Sequence, residues 1–126
     1  MAHFKPFRRK RRADDARYGD QDARAWRRLV KAARYQLQQP LADSKPLWAA
    51  AEACAKAVPP PGHAGRDSVF LRLVITARAF ARMAPSERAA ADATAESLRD
   101  LAATCEAAVN GSAPDTSRGA RADIFG

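Results

Sequence analysis

The stretch VFLRLVITARAFARM, residues 69–83, decides the fold. Val69, Phe70, Leu73, Val74, Ala77, Phe80 and Ala81 recur at three- and four-residue spacing over about four turns, which gathers them on one side of a helix. The Val74-Ile75-Thr76 run carries some β-propensity, but the apolar pattern outlasts a strand and has no strand-like neighbour to pair with. A helix apolar over so much of its girth is expected at the centre of a helical assembly. Arg72, Arg78 and Arg82 interrupt the run, leaving it too short and too charged to span a bilayer. Asp67 or Ser68 is its expected N-cap.

Toward the C-terminus, Pro85-Ser86-Glu87 signals a new helix, predicted to run unbroken to about Val109 and to stop at Asn110-Gly111. Leu98, Leu101, Cys105 and Val109 form its stripe. Its first half is alanine and polar residues, so packing there is expected to be shallow. Residues 111–126 read as a flexible tail ending in Ile124-Phe125, a pair suited either to docking in a partner's groove or to plain terminal disorder.

Toward the N-terminus, Pro59-Pro60-Pro61 and Gly62-His63-Ala64-Gly65 mark a loop. Before it, Ser44 and Pro46 open a helix over Lys45 to Val58, with Leu47, Ala51, Cys54 and Val58 as its stripe and Trp48 beside them. The helix before that runs from about Asp20 to Gln39. Asp20 is the expected N-cap, Asp22 complements the helix dipole, and Pro40 is the stop. Trp26, Leu29, Val30, Ala33 and Leu37 share one face. At about 100° per residue, Arg24, Arg27, Arg28, Lys31 and Arg34 gather on the opposite one.

The expected fold is therefore all-α: a small bundle of about four helices over residues 20–110, a disordered basic arm over 1–19 and a flexible tail over 111–126. A chain of 126 residues suits one domain. Much of its 47% hydrophobic content is alanine, which favours helix but buries little area. A thin core follows, and with it a tendency to form homo-oligomers. The bias to Ala and Arg matches a GC-rich bacterial genome. The two cysteines, Cys54 and Cys105, lie far apart in apolar stretches and read as buried free thiols of a reducing cytoplasm. The paired arginines near the start invite an export-signal reading, but acidic, polar residues 13–22 stand where an apolar segment belongs.

Charge is unevenly placed. Of the net +8, residues 1–12 carry six bases and no acid: Lys5, Arg8, Arg9, Lys10, Arg11 and Arg12. The remaining 16 bases face 14 acids. Residues 85–110 hold Arg88 and Arg99 against Glu87, Asp92, Glu96, Asp100 and Glu106, so the last helix is acidic. Dense Lys and Arg neutralise phosphates and release counterions, which gives affinity without sequence readout. Phe4 and Phe7, interleaved with the bases, suit base stacking on single strands or insertion into an anionic lipid surface. The bland reading is a solubilising tail. For the basic helix face it is a solvated surface, partly paired with the acidic last helix.

A helix-turn-helix fits poorly. Residues 59–65 make too long a turn, and the helix after Pro85 is net acidic. No phosphate-cradling Gly loop, nucleophile elbow or paired metal ligands occur, and His63 stands alone in a loop where an exposed, idle role is expected. Glu52, Asp67 and Glu87 have no evident partner in the sequence. No catalytic residue, cofactor or metal site is expected.

The functional expectation is a non-catalytic accessory protein that binds DNA or RNA through phosphates. Lys5, Arg8, Arg9, Lys10, Arg11 and Arg12 would supply affinity, and Arg24, Arg28 and Lys31 docking contacts. The alternative is a protein-interaction module that uses the acidic last helix or an exposed Trp26/Trp48 surface, with the arm only solubilising or binding a membrane surface.

Overall fold

In the computed structural model, residues 17–112 are described and form five helices: α1 (Asp20–Gln38), α2 (Lys45–Cys54), α3 (Val69–Arg82), α4 (Pro85–Ala90) and α5 (Asp92–Asn110). Among the described residues there is no strand. The four long helices close a ring, α1 on α2, α2 on α3, α3 on α5 and α5 on α1. Among the described residues, no helix is long and apolar enough to cross a membrane.

The N-cap of α1 lies one residue earlier than expected. Gly19 takes the N-cap and Asp20 is the first helical residue. The capping is done by Asp22, whose Oδ2 accepts from the Gly19 N–H at 2.9 Å. Its other oxygen accepts from the Val58 N–H at 3.0 Å, and the Trp26 indole N–H donates to the Val58 carbonyl at 3.0 Å. Both polar groups of one backbone residue are thereby satisfied by α1, which ties the chain beyond α2 to the first turns of α1. The two helices run antiparallel, joined by residues 39–44.

α2 ends at Cys54 rather than near Val58. Ser44 occupies its N-cap position, but the hydroxyl donates to the Ala81 carbonyl at 2.7 Å instead of capping. That bond fastens the start of α2 to the end of α3. Ser68 caps α3 with its Oγ accepting from the Phe70 N–H at 3.0 Å.

The core joins Trp26 and Leu29 of α1, Leu47 and Cys54 of α2, Phe70, Leu73 and Phe80 of α3, and Leu98, Cys105 and Val109 of α5, with alanines between them. Trp26 meets Phe70 edge-on at 4.8 Å between ring centroids, a geometry that suits the ring quadrupoles. Trp26, expected as an exposed anchor in the protein-interaction reading, is instead at the centre of the core. Tyr18, inside the segment set aside as the arm, is buried too, and its hydroxyl has no hydrogen-bond partner among the described residues. α3 is not the central helix its pattern suggests. It takes one place in the ring, and Leu71 and Ile75 on its outer face remain exposed.

The expected single helix from Pro85 to Val109 is broken at Ala91, where φ is −88° and ψ is 66°. Three residues before the break stands Arg88, a residue the sequence places on a solvated acidic helix. It is 3% exposed. Its guanidinium donates to the carbonyls of Pro40 (2.8 Å), Met83 (2.6 Å) and Ala42 (3.0 Å). The Ala42 carbonyl also accepts from Nε2 of buried Gln36 at 2.9 Å. α4 is the short element that carries Arg88 inward, and α5 begins after it. Full burial on the last helix starts at Leu98, with Ala95 before it only partly buried, in keeping with the shallow packing expected of its alanine-rich first half.

Candidate nucleic-acid interface

α1 has two faces, as its sequence period requires. Ala23, Trp26, Leu29, Val30, Ala33 and Gln36 are buried, while Arg24, Arg27, Arg28, Lys31 and Arg34 are exposed on the other side. Arg34 is engaged. Its Nη2 lies 2.6 Å from Glu106 Oε1 on α5. Arg24, Arg27, Arg28 and Lys31 form no salt bridge with a described residue. The acids of α5 do not reach them, and Asp92, Glu96 and Asp100 stay exposed on α5 itself. With Arg88 buried, the exposed charge of residues 85–110 is more acidic than their sequence count implies.

Of the predicted contacts, Arg28 and Lys31 come together on one feature, a furrow of about 460 Å³ between α1 and α2. Its α1 wall is Arg28, Lys31, Ala32 and Tyr35, and its α2 wall is Pro46, Ala49, Ala50 and Ala53. No acid lines it. Arg24 lies one turn before Arg28, exposed but outside the furrow. Lys5, Arg8, Arg9, Lys10, Arg11 and Arg12 lie outside the described residues, as do Phe4, Phe7, Ile124 and Phe125.

Tyr35 is the furrow residue that the sequence reading passed over. It stands four residues after Lys31 and seven after Arg28, so it continues their line along the helix. The residue is 54% exposed. The helical period contained that signal.

A second recess of about 370 Å³ opens beside the 55–68 loop, lined by Trp26, Cys54, His63, Leu71, Ile75 and Arg78 among others. His63 is half-buried, not exposed. It packs edge-on against Phe70 at 5.3 Å. Glu52 has a partner after all, since its Oε2 accepts from Arg78 Nε at 2.9 Å and Nη2 at 2.7 Å. The same guanidinium lies 5.9 Å from the ring centre of Trp48. Glu87 accepts from the Ala84 N–H at 3.0 Å and so caps α4. These carboxylates hold structure together.

Cys54 and Cys105 are free and buried. Burial pushes both thiols up to about 12, and for Cys54 the nearby Cys105 adds to the shift. The Cys54 thiol donates to the Ala25 carbonyl at 3.1 Å. Neutral thiols in such surroundings are poor nucleophiles.

No protein-family profile, curated protein or solved structure matches this chain.

Proposed function

We propose that this protein is a non-catalytic accessory factor that holds nucleic acid through its phosphates, without strong sequence readout. The observation that carries this reading is the set of four exposed cations on α1, Arg24, Arg27, Arg28 and Lys31, without a carboxylate partner among the described residues. A solvated helix face commonly interleaves both signs; here exposed Asp20 stands at the start of the helix and no acid occurs from Arg24 to Arg34. The bases of residues 5–12 precede it by little more than ten residues, so both can engage one polyanion. Phosphate contacts of this kind give affinity that falls steeply with salt.

The test is a salt titration of the full chain against duplex DNA, single-stranded DNA and RNA. It is repeated with Arg24, Arg28 and Lys31 all changed to Gln, and with Arg8, Arg9, Lys10, Arg11 and Arg12 all changed to Gln. Each lost phosphate contact should flatten the log–log salt slope by about 0.7–0.9. No binding by the unaltered chain at low salt would reject the reading.

A second reading is supported by Trp48, Leu71 and Ile75, which are 38%, 45% and 55% exposed on α2 and α3. Large apolar side chains gathered on one side suit a protein partner or a second copy of the chain. Sedimentation across concentration, with and without Leu71→Gln and Ile75→Gln, separates a self-associating face from an idle one.

A further inference from the structure

We infer that the α1–α2 furrow is a seat for single-stranded nucleic acid, with Tyr35 as the surface on which an unpaired base stacks and Arg28 and Lys31 as the groups that hold its phosphates. This rests on the phosphate-binding reading above and adds the strand type and the residue that selects it.

Three observations converge on the furrow. The first is charge. Arg28 and Lys31 stand on its rim, Lys45 lies exposed one turn before Ala49 of the opposite wall, and no Asp or Glu lines it. A concave site lined by one sign of charge concentrates the opposite charge, so its occupant is an anion. The second is the floor. Ala32, Ala49, Ala50 and Ala53 present only methyl groups, so a flat apolar surface can approach both helix backbones closely. The third is Tyr35, a large aromatic ring left mostly in solvent at the end of the same wall, with no ring contact of its own among the described residues.

An occupant that is anionic along its length and flat and apolar between its charges matches all three. A duplex offers phosphates but keeps its base faces stacked inside. A single strand offers both, and every base has a π-face, so stacking needs no particular sequence. The geometry has the right reach. Arg28, Lys31 and Tyr35 span seven residues of helix, about 10 Å, or roughly three stacked nucleotides at about 3.4 Å each.

The experiment measures binding of the full chain to a fluorescent single-stranded oligonucleotide and to a duplex of equal length, at several salt concentrations. The variants are Tyr35→Ala, Tyr35→Phe and Arg28→Gln/Lys31→Gln, each checked by circular dichroism. The expected result is tighter binding of the single strand. Tyr35→Ala should weaken it about ten-fold or more, with the salt slope and duplex binding unchanged, and Tyr35→Phe should retain affinity. Arg28→Gln/Lys31→Gln should flatten the slope by about 1.4 on single strands.

Full affinity for single strands in Tyr35→Ala, with the cation variant still impaired, would overturn the stacking inference and leave the phosphate reading standing. Equal losses on duplex and single strand in Tyr35→Ala would overturn it too, since they make Tyr35 a structural residue. Tyr35-dependent binding to phosphatidylserine vesicles, with no preference for single strands, would assign the furrow to a lipid surface and overturn it as well. Failure of the unaltered chain to bind any polyanion at low salt would remove the parent reading itself.

Discussion

The Arg88 guanidinium lies 2.8 Å from the carbonyl of Pro40, forty-eight residues earlier in the chain, and its closest partners are all backbone carbonyls. Three strands of chain meet there: the loop after α1, the end of α3 and the short α4. A full positive charge is held at 3% exposure by carbonyl dipoles just beyond the ends of α1 and α3, where the chain has left the helix and its buried carbonyls need other donors. Arg88 therefore does for two helix ends what a capping residue does for one.

Replacing Arg88 by Ala should cost about 3–5 kcal/mol, since it opens a void and leaves buried carbonyls without donors. Arg88→Lys should recover only part of that, because an ammonium cannot reach three carbonyls with a planar fork. Urea unfolding followed by far-ultraviolet circular dichroism gives both values. A change below about 1 kcal/mol in the Ala variant would show the contacts to be incidental.

Val58 provides a second, independent pin. Its N–H is held by Asp22 and its carbonyl by Trp26. Trp26→Phe should cost about 1–3 kcal/mol through the lost bond and lost volume. Asp22→Ala should cost about 1–2 kcal/mol through the lost helix cap and the unsatisfied Val58 amide. The residues share one partner, so the double variant should lose less than the sum of the two. Additive losses would mean that Val58 is anchored otherwise.

Tyr18 predicts the opposite sign. Its buried hydroxyl has no partner among the described residues, and such a group carries a desolvation cost with nothing to offset it. Tyr18→Phe should leave stability unchanged or raise it by up to about 1 kcal/mol. A loss of more than about 1 kcal/mol would reveal a hydrogen bond to the hydroxyl.

The long helices are legible in the sequence because local signals agree. Apolar residues recur at helical spacing, and Pro40, residues 59–61 and Pro85 punctuate them. The break at Ala91 is marked by no proline or glycine, and the burial of Arg88 just before it rests on acceptors at Pro40 and Ala42, far outside any local window. Gln36 is hidden for a different reason, since its acceptors are near in sequence but belong to the irregular segment that follows α1. It sits on the core face and is buried by its bonds to the Gln39 and Ala42 carbonyls. The basic stripe of α1 can be read from periodicity alone. The furrow cannot, since it exists only once the alanines of α2 lie beside Arg28 and Lys31.

The thiols give a pH dependence with a definite sign. Burial raises both from 9.0 to about 12, so the folded chain keeps protons that the unfolded chain releases. Their contribution to stability is fully present below pH 9.0 and falls as pH rises toward 12. Each thiol should remove on the order of 1 kcal/mol per pH unit within that window. Urea midpoints measured from pH 7 to 10.5 should fall less steeply in Cys54→Ala/Cys105→Ala than in the unaltered chain. At pH 8 a thiol reagent should label the native protein slowly and the unfolded protein quickly. Equal slopes with rapid native labelling would contradict the burial of both.

Arg34 sits in the basic stripe, yet its guanidinium is turned to Glu106, 2.6 Å away on α5. The pair is half exposed, and ion pairs in that setting contribute less than about 1 kcal/mol. Glu106→Gln should therefore leave stability nearly unchanged while releasing a fifth cation beside Arg27, which lies two turns earlier on the same line. If the stripe holds phosphates, this variant should bind polyanions more tightly, and its salt slope should steepen by about 0.7–0.9 for one added contact. Asp100→Asn is the control. It removes the same charge from an exposed position on α5 without releasing an arginine. It should raise affinity slightly through the overall field and leave the slope alone. Equal effects from the two variants would mean that Arg34 gains no phosphate on release, and that the stripe acts through net charge alone.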